Sequence, residues 1–219
     1  MKPMKKFAVL LSGCGVFDGA EIHEATLSLL AIAKQGGSYE IFAPDTNQHH
    51  VINHLTGDEM EETRNVLVES ARIARGQIRD LKQFNPASFD GLLLPGGFGA
   101  AKNLSTWAFE GADASVLPGV EEAISGMVAL KKPVGALCIS PVILAKVLGK
   151  VDLTIGNDES TIDALESLGA NHVYTTHGEV VVDPDHMLVT TPCYMLDATI
   201  DQIADGANNV VDAMIKLME

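Results

Sequence analysis

The 219-residue chain is poor in cysteine, poor in basic residues and free of long apolar runs. Its three cysteines, Cys14, Cys138 and Cys193, are an odd number at wide spacing. They provide neither a disulfide framework nor a Cys-x-x-Cys metal pair, and they point to a reducing compartment. Lysine and arginine number 15 against 29 aspartates and glutamates, a formal charge of −14. A surface of that sign opposes non-specific binding of nucleic acid or of an anionic membrane. No apolar run approaches the length of a membrane span. No internal repeat, low-complexity tract or linker divides the chain, so a single domain over residues 1–219 is expected. With 47% hydrophobic residues, a domain of this size buries about 70% of its unfolded surface.

The N-terminus has part of a secretion signal and lacks the rest. Met1-Lys2-Pro3-Met4-Lys5-Lys6 is basic, and Leu11-Ser12-Gly13-Cys14 imitates a lipoprotein cleavage box. The apolar core between them, residues 7–11, is shorter than the ~7–15 residues a signal peptide uses. The same residues make a good first strand. The expected location is cytoplasmic.

What is present is organised around residues 132–146. A short apolar run behind Pro133 reads as a buried parallel strand. A helix follows, with Ser140 as its cap and Pro141 at the first helical position. Cys138 falls at the turn between them, at the carboxyl end of the sheet and facing a helix N-terminus. That setting predicts a lowered thiol pKa. Gly135 and Ala136 are read as keeping the turn uncrowded, as in a nucleophile elbow.

The rest of the chain alternates strands and helices. Strands are expected at 7–12, 39–43, 89–94, 151–155, 173–175, 180–182 and 187–190. Helices are expected at 21–34, 61–76, 118–130, 160–168 and 197–218. The order predicts an α/β fold with a mostly parallel sheet and helices on both faces. Gly13-x-Gly15-x-x-x-Gly19 is one residue too long for a dinucleotide fingerprint. His49, His50 and His54 lack acidic or cysteine partners at ligand spacing, and a solvated loop is the better reading. No metal or cofactor is expected.

Two further segments point at the cysteine. Glu21 and Glu24 lie three apart at the start of the first helix, on one face. The loop that carries them opens onto the same sheet edge as Cys138, where one of them can meet the thiol. A carboxyl held there, its pKa raised by burial, can donate a hydrogen bond or move a proton. Pro95-Gly96-Gly97 closes another buried strand, and its backbone N–H groups face no side chain of their own. Gly97 and Ile139 are the expected oxyanion-hole donors. Gly96, Lys102 and Asn103 are placed to hold a polar substrate.

These segments resemble the ElbB-type proteins of the PfpI-like, class I glutamine amidotransferase-like superfamily. The resemblance is carried by residues 11–24, Val51-Ile52-Asn53-His54-Leu55-Thr56-Gly57, Arg64-Asn65-Val66-Leu67, residues 95–105, Cys138-Ile139-Ser140-Pro141 and Thr190-Thr191-Pro192. It spans nearly the whole length. It implies one class I glutamine amidotransferase-like domain, a flavodoxin-like three-layer sandwich with the cysteine on a strained elbow. It also implies a glutamate beside the thiol, Glu24 first and Glu21 second, and a homodimer. The activity implied is that of a glutathione-independent glyoxalase, formally a hydro-lyase, converting the small aldehyde glyoxal to glycolate. An association with isoprenoid biosynthesis comes with the family. Many relatives place a histidine directly after the cysteine, where Ile139 stands here. His177-Gly178-Glu179 has the order of the amidotransferase His-x-Glu pair but not its context, which argues against peptidase and glutaminase activity. The alternative to an enzyme is a thiol redox sensor or binding protein whose glyoxalase activity is incidental.

Overall fold

Seven strands build the central sheet of the computed structural model, which describes residues 4–219. The first three residues of the basic lead lie outside the described range. The strands are β1 (Lys6–Leu10), β2 (Ser38–Ala43), β3 (Ile78–Asp80), β4 (Gly91–Leu94), β5 (Val134–Leu137), β8 (Val181–Asp183) and β9 (Leu188–Thr191). Their order is β3-β2-β1-β4-β5-β9-β8, and every pairing is parallel except β8 with β9. Two two-residue strands, β6 (Asp152–Leu153) and β7 (Asn171–His172), form a small parallel sheet beside it.

Alternation along the buried strands divides the core into two layers. Ala8, Leu10, Leu92, Leu94, Val134 and Ala136 face one way, against α5 (Pro118–Ala129) and α6 (Pro141–Leu148). Phe7, Val9, Leu93, Leu137 and Val189 face the other, against α1 (Ile22–Lys34) and α8 (Ile200–Leu217). This is the expected flavodoxin-like sandwich. Gly135 serves that packing and not the turn. A side chain there would meet Leu93 Cδ1 and Met214 Sδ at 2.6 Å.

Several elements differ from the sequence reading. The helix expected at 61–76 is only α2 (Val66–Ile73), because Asn65 caps it through Val68 N and residues 59 and 65 are taken up in bridges to Ile52 and Asn47. The strand expected at 173–175 is absent, and pairing occurs two residues earlier in β7. The three-residue edge strand β3 was not anticipated, nor was the short helix α3 (Phe98–Lys102) inside the glycine-rich segment after β4. The helices α4 (Trp107–Glu110) and α7 (Glu159–Ser167) complete the set. No helix among the described residues is long and apolar enough to cross a membrane.

Four adjacent parallel strands, β1, β4, β5 and β9, end at one edge. Their loops therefore lie side by side, where α/β proteins place ligands. These are the loop 13–19 with the start of α1, Pro95-Gly96-Gly97, the Cys138 turn, and Pro192-Cys193-Tyr194.

Candidate active site

Cys138 takes a left-handed backbone conformation, φ 59°, between β5 and α6. A non-glycine residue there costs about 1–2 kcal/mol, and the surroundings hold it. The Cys138 N–H donates to Thr191 O at 3.0 Å, Ser140 N–H donates to Leu137 O at 3.0 Å, and the Ser140 hydroxyl donates to Pro95 O at 2.7 Å. Ser140 is therefore no side-chain cap of α6. It ties the elbow to the loop after β4.

That loop runs past the thiol without a side chain. A methyl group on Gly96 would collide with Cys138 Cβ and lie 2.7 Å from Glu24 Oε2 and 3.0 Å from Cys138 Sγ. The same point in space is thus flanked by the sulfur and the carboxyl. Gly97 has φ 95°, and a side chain there would also strike the backbone of residues 19–21. The N–H groups of Gly97 and Ile139 both favour the charged form of the Cys138 sulfur.

Of the two glutamates it is Glu24 that meets the thiol. Its side chain is fully buried and shares a hydrogen bond with Cys138. Oε2 accepts from Gly96 N–H at 2.8 Å and Oε1 from Tyr194 N–H at 3.3 Å. Glu21 stands one turn earlier as the N-cap of α1, its Oε2 accepting from Glu24 N–H at 2.7 Å. Burial, and then the Glu21 charge, push the Glu24 pKa from 4.5 up to about 7. A buried carboxyl with that pKa is half protonated near neutrality.

The lowered thiol pKa expected for Cys138 is corrected. Burial first, and the Glu24 charge second, push it well above its ordinary value, against the pull of the Gly97 and Ile139 N–H groups. α6 begins three residues beyond the cysteine, and its N-terminal field does not outweigh desolvation at a sulfur so enclosed. The carboxyl is therefore the more acidic of the two groups, and a thiolate forms by passing the sulfur's proton to the Glu24 carboxylate.

Asn103 and Lys102 do not line this site as expected. Asn103 is buried; its Nδ2 donates to Ser12 O at 2.9 Å and Asp18 O at 2.8 Å, and its Oδ1 accepts from His49 N–H at 2.9 Å. All of these bonds stitch loops together. Asn103→Ala should cost about 2–4 kcal/mol, since it leaves three backbone groups without partners; a urea titration would show it, and a loss under 1 kcal/mol would contradict it. Lys102 donates to Phe17 O at 2.9 Å and lies 5.1 Å above the Phe98 ring. Asp18, which the sequence reading passed over, is buried and holds the loop 51–59 through Ile52 N–H at 2.8 Å. His177 is bonded to Asp197 O at 2.9 Å and Glu179 to Thr176 N at 2.6 Å, both away from Cys138. Among the described residues no group of three or more His, Cys, Asp or Glu side chains is placed to hold a metal ion.

Comparison with known proteins gives the frame a lineage. The ES1 protein homolog, mitochondrial, of Rattus norvegicus is 43% identical over 226 residues, covering 99% of this chain and 85% of that protein. The human glutamine amidotransferase-like class 1 domain-containing protein 3, mitochondrial, is 43% identical over 226 residues, covering 99% and 84%. Among solved structures, an isoprenoid biosynthesis protein with amidotransferase-like domain from Ehrlichia chaffeensis superposes with a TM-score of 0.93 at 34% identity, over 98% of this chain and 100% of that one. Glyoxalase III from Candida albicans shares the fold at a TM-score of 0.64 and 15% identity, over 96% of this chain and 97% of that one. No protein-family model matches. The cytoplasmic location expected above is overturned by the relatives, which are named mitochondrial. Three free cysteines ask only for a reducing interior and do not say which one. At this identity over nearly the full length, the chain belongs to the family of ES1 and ElbB-type proteins with a class I glutamine amidotransferase-like domain.

Proposed function

We propose that this protein is a glutathione-independent glyoxalase in which Cys138 is the nucleophile and Glu24 the proton carrier. The observation that carries the reading is the shared position of the two groups. A buried thiol and a carboxyl of pKa about 7 flank one point beside Gly96, with the Gly97 and Ile139 N–H groups aimed at the sulfur.

The chemistry follows from that arrangement. With the pair's proton on Glu24, the sulfur is a thiolate and attacks one carbonyl carbon of glyoxal. The new C–S bond moves charge onto the carbonyl oxygen, one bond from the sulfur, within the reach of N–H groups that had held the thiolate. Glu24 gives its proton to that oxygen and leaves a hemithioacetal. The Glu24 carboxylate then takes the proton from the sulfur-bearing carbon and returns it to the neighbouring carbon, while the hydroxyl proton of the hemithioacetal passes to the other oxygen, converting the adduct to a thioester of glycolic acid. Water cleaves the thioester, releasing glycolate and a proton and restoring the thiol. A carboxyl titrating near the working pH suits both the donating and the accepting step.

A redox sensor requires an accessible thiol of low pKa. Cys138 is only 7% exposed, but the enzyme needs the same thiolate, so turnover of glyoxal is what separates the two readings. The test is conversion of glyoxal to glycolate without added thiol, with kcat/KM of about 10⁴ M⁻¹s⁻¹ or above expected of an enzyme. A value several orders lower would return the protein to the non-catalytic reading.

A further inference from the structure

Glu24 is fixed at its two ends with unequal firmness. The Gly96 N–H holds Oε2 at 2.8 Å, from a loop pinned on both sides. The Tyr194 N–H reaches Oε1 at 3.3 Å, from a loop whose geometry is strained: Cys193, just before it, is a non-glycine residue at φ 43°. That turn is what points the Tyr194 N–H at the carboxylate. Something must hold it, because a residue in the left-handed region persists only where its surroundings over-determine it.

Besides the turn's own backbone bonds, from Met195 N–H to Pro192 O and from Leu196 N–H to Cys193 O, a side-chain contact reaches it from α1. The Tyr194 hydroxyl lies 2.8 Å from His23 Nδ1, with the rings 5.9 Å apart. His23 is in the first turn of α1, the residue before Glu24, and it is exposed where Glu24 is buried. We propose that His23 and Tyr194 are a positioning pair for Glu24: their hydrogen bond fixes the loop after β9 so that the Tyr194 N–H keeps the carboxyl turned towards the Cys138 thiol. One helix turn thereby supplies both the carboxyl and the anchor of the loop that orients it. This deepens the proposed function and rests on Cys138 and Glu24 being the reacting pair. Neither His23 nor Tyr194 is assigned a bond to substrate.

The ionisable groups that face Glu24 are Glu21 from its own helix end, Cys138 after β5, and Cys193 and Tyr194 after β9. The Tyr194 N–H favours the charged carboxylate, so loosening it lets Glu24 keep its proton to higher pH. The experiment is the rate of alkylation of Cys138 by iodoacetamide against pH, followed at the Cys138 peptide by mass spectrometry. Ionisation of Glu24 beside the thiol puts an inflection in that profile, and Glu24→Gln removes it. Tyr194→Phe and His23→Leu should move the inflection upward, by roughly 3- to 10-fold in the ionisation constant, the weight of one ordinary hydrogen bond. His23→Asn, which keeps an acceptor near the Nδ1 position, should stay within about 2-fold of the parent. The proposal fails if the inflection stays put in both Tyr194→Phe and His23→Leu. It fails equally if His23→Asn moves it as far as His23→Leu, or if it persists in Glu24→Gln. Alkylation needs no turnover of glyoxal, so failure of the glyoxalase reading and failure of this one are told apart.

Discussion

Cys138→Ser should lower kcat/KM for glyoxal by at least about 10³-fold, the scale on which removal of a nucleophile acts in enzymes whose other groups remain. The substitution is nearly isosteric, so the elbow at φ 59° and the bonds that residues 138 and 140 donate to Thr191 O and Pro95 O should remain in place. What changes is acidity. Raising the Glu24 pKa to about 7 makes its carboxylate a stronger base towards the neighbouring thiol. A hydroxyl is far less acidic, and a carboxyl of pKa about 7 cannot act as an adequate base for it in a desolvated site. The measurement is kcat/KM for parent and variant, alongside their urea midpoints. Midpoints within about 0.5 kcal/mol with the rate lost would locate the defect in the chemistry. A variant keeping a tenth of the parent rate would remove Cys138 from the reaction.

The parts of this site that could be read from the sequence are those written in local pattern. A buried strand, a cysteine and a proline-opened helix specify an elbow, and it is found, because it depends on neighbours in the chain. Gly96-Gly97 at the end of another buried strand specifies N–H groups free of their own side chains, but only the fold shows that the Gly96 N–H donates to Glu24. The choice between Glu21 and Glu24 does not. Both lie on the same helix face, and the distinction arises because Glu21 falls on the N-cap, where its carboxyl folds back onto the Glu24 N–H. Asn103 was misread for a similar reason: its partners, Ser12, Asp18 and His49, are 54 to 91 residues away. The direction of the Cys138 pKa was misjudged because the helix-terminus argument counts one field and omits burial, which sequence does not show. Ile78-Arg79-Asp80 carries too few residues to display a period, so the edge strand left no signal.

Glu24→Gln should remove the proton transfer and, above neutral pH, leave the protein more stable than the parent. In the folded protein Glu24 titrates at about 7, against 4.5 for the free side chain. Between those values the folded state holds a proton that the unfolded chain has released. Stability from this group therefore falls as pH rises from about 4.5, and the full penalty is present above about 7. The difference corresponds to roughly 3 kcal/mol. Glutamine removes the charge but also presents an N–H₂ group where both carboxylate oxygens accept, from Gly96 and from Tyr194. One of those bonds is lost, at about 1 kcal/mol. The variant should then be about 1–2 kcal/mol more stable than the parent near pH 8 and slightly less stable near pH 5, where the parent's carboxyl is already neutral. The depressed carboxylates elsewhere, Asp158 and Asp183 among them, contribute equally to both proteins and cancel in the difference. Urea unfolding of the two across this range supplies the curve. A stability difference that does not change with pH would mean that Glu24 is ionised in the folded protein throughout, and the proton that the proposed chemistry moves would not be there to move. Paired with a drop of about 10²- to 10⁴-fold in glyoxal turnover, a crossing of the two curves would identify a buried acid kept for reactivity at the expense of stability.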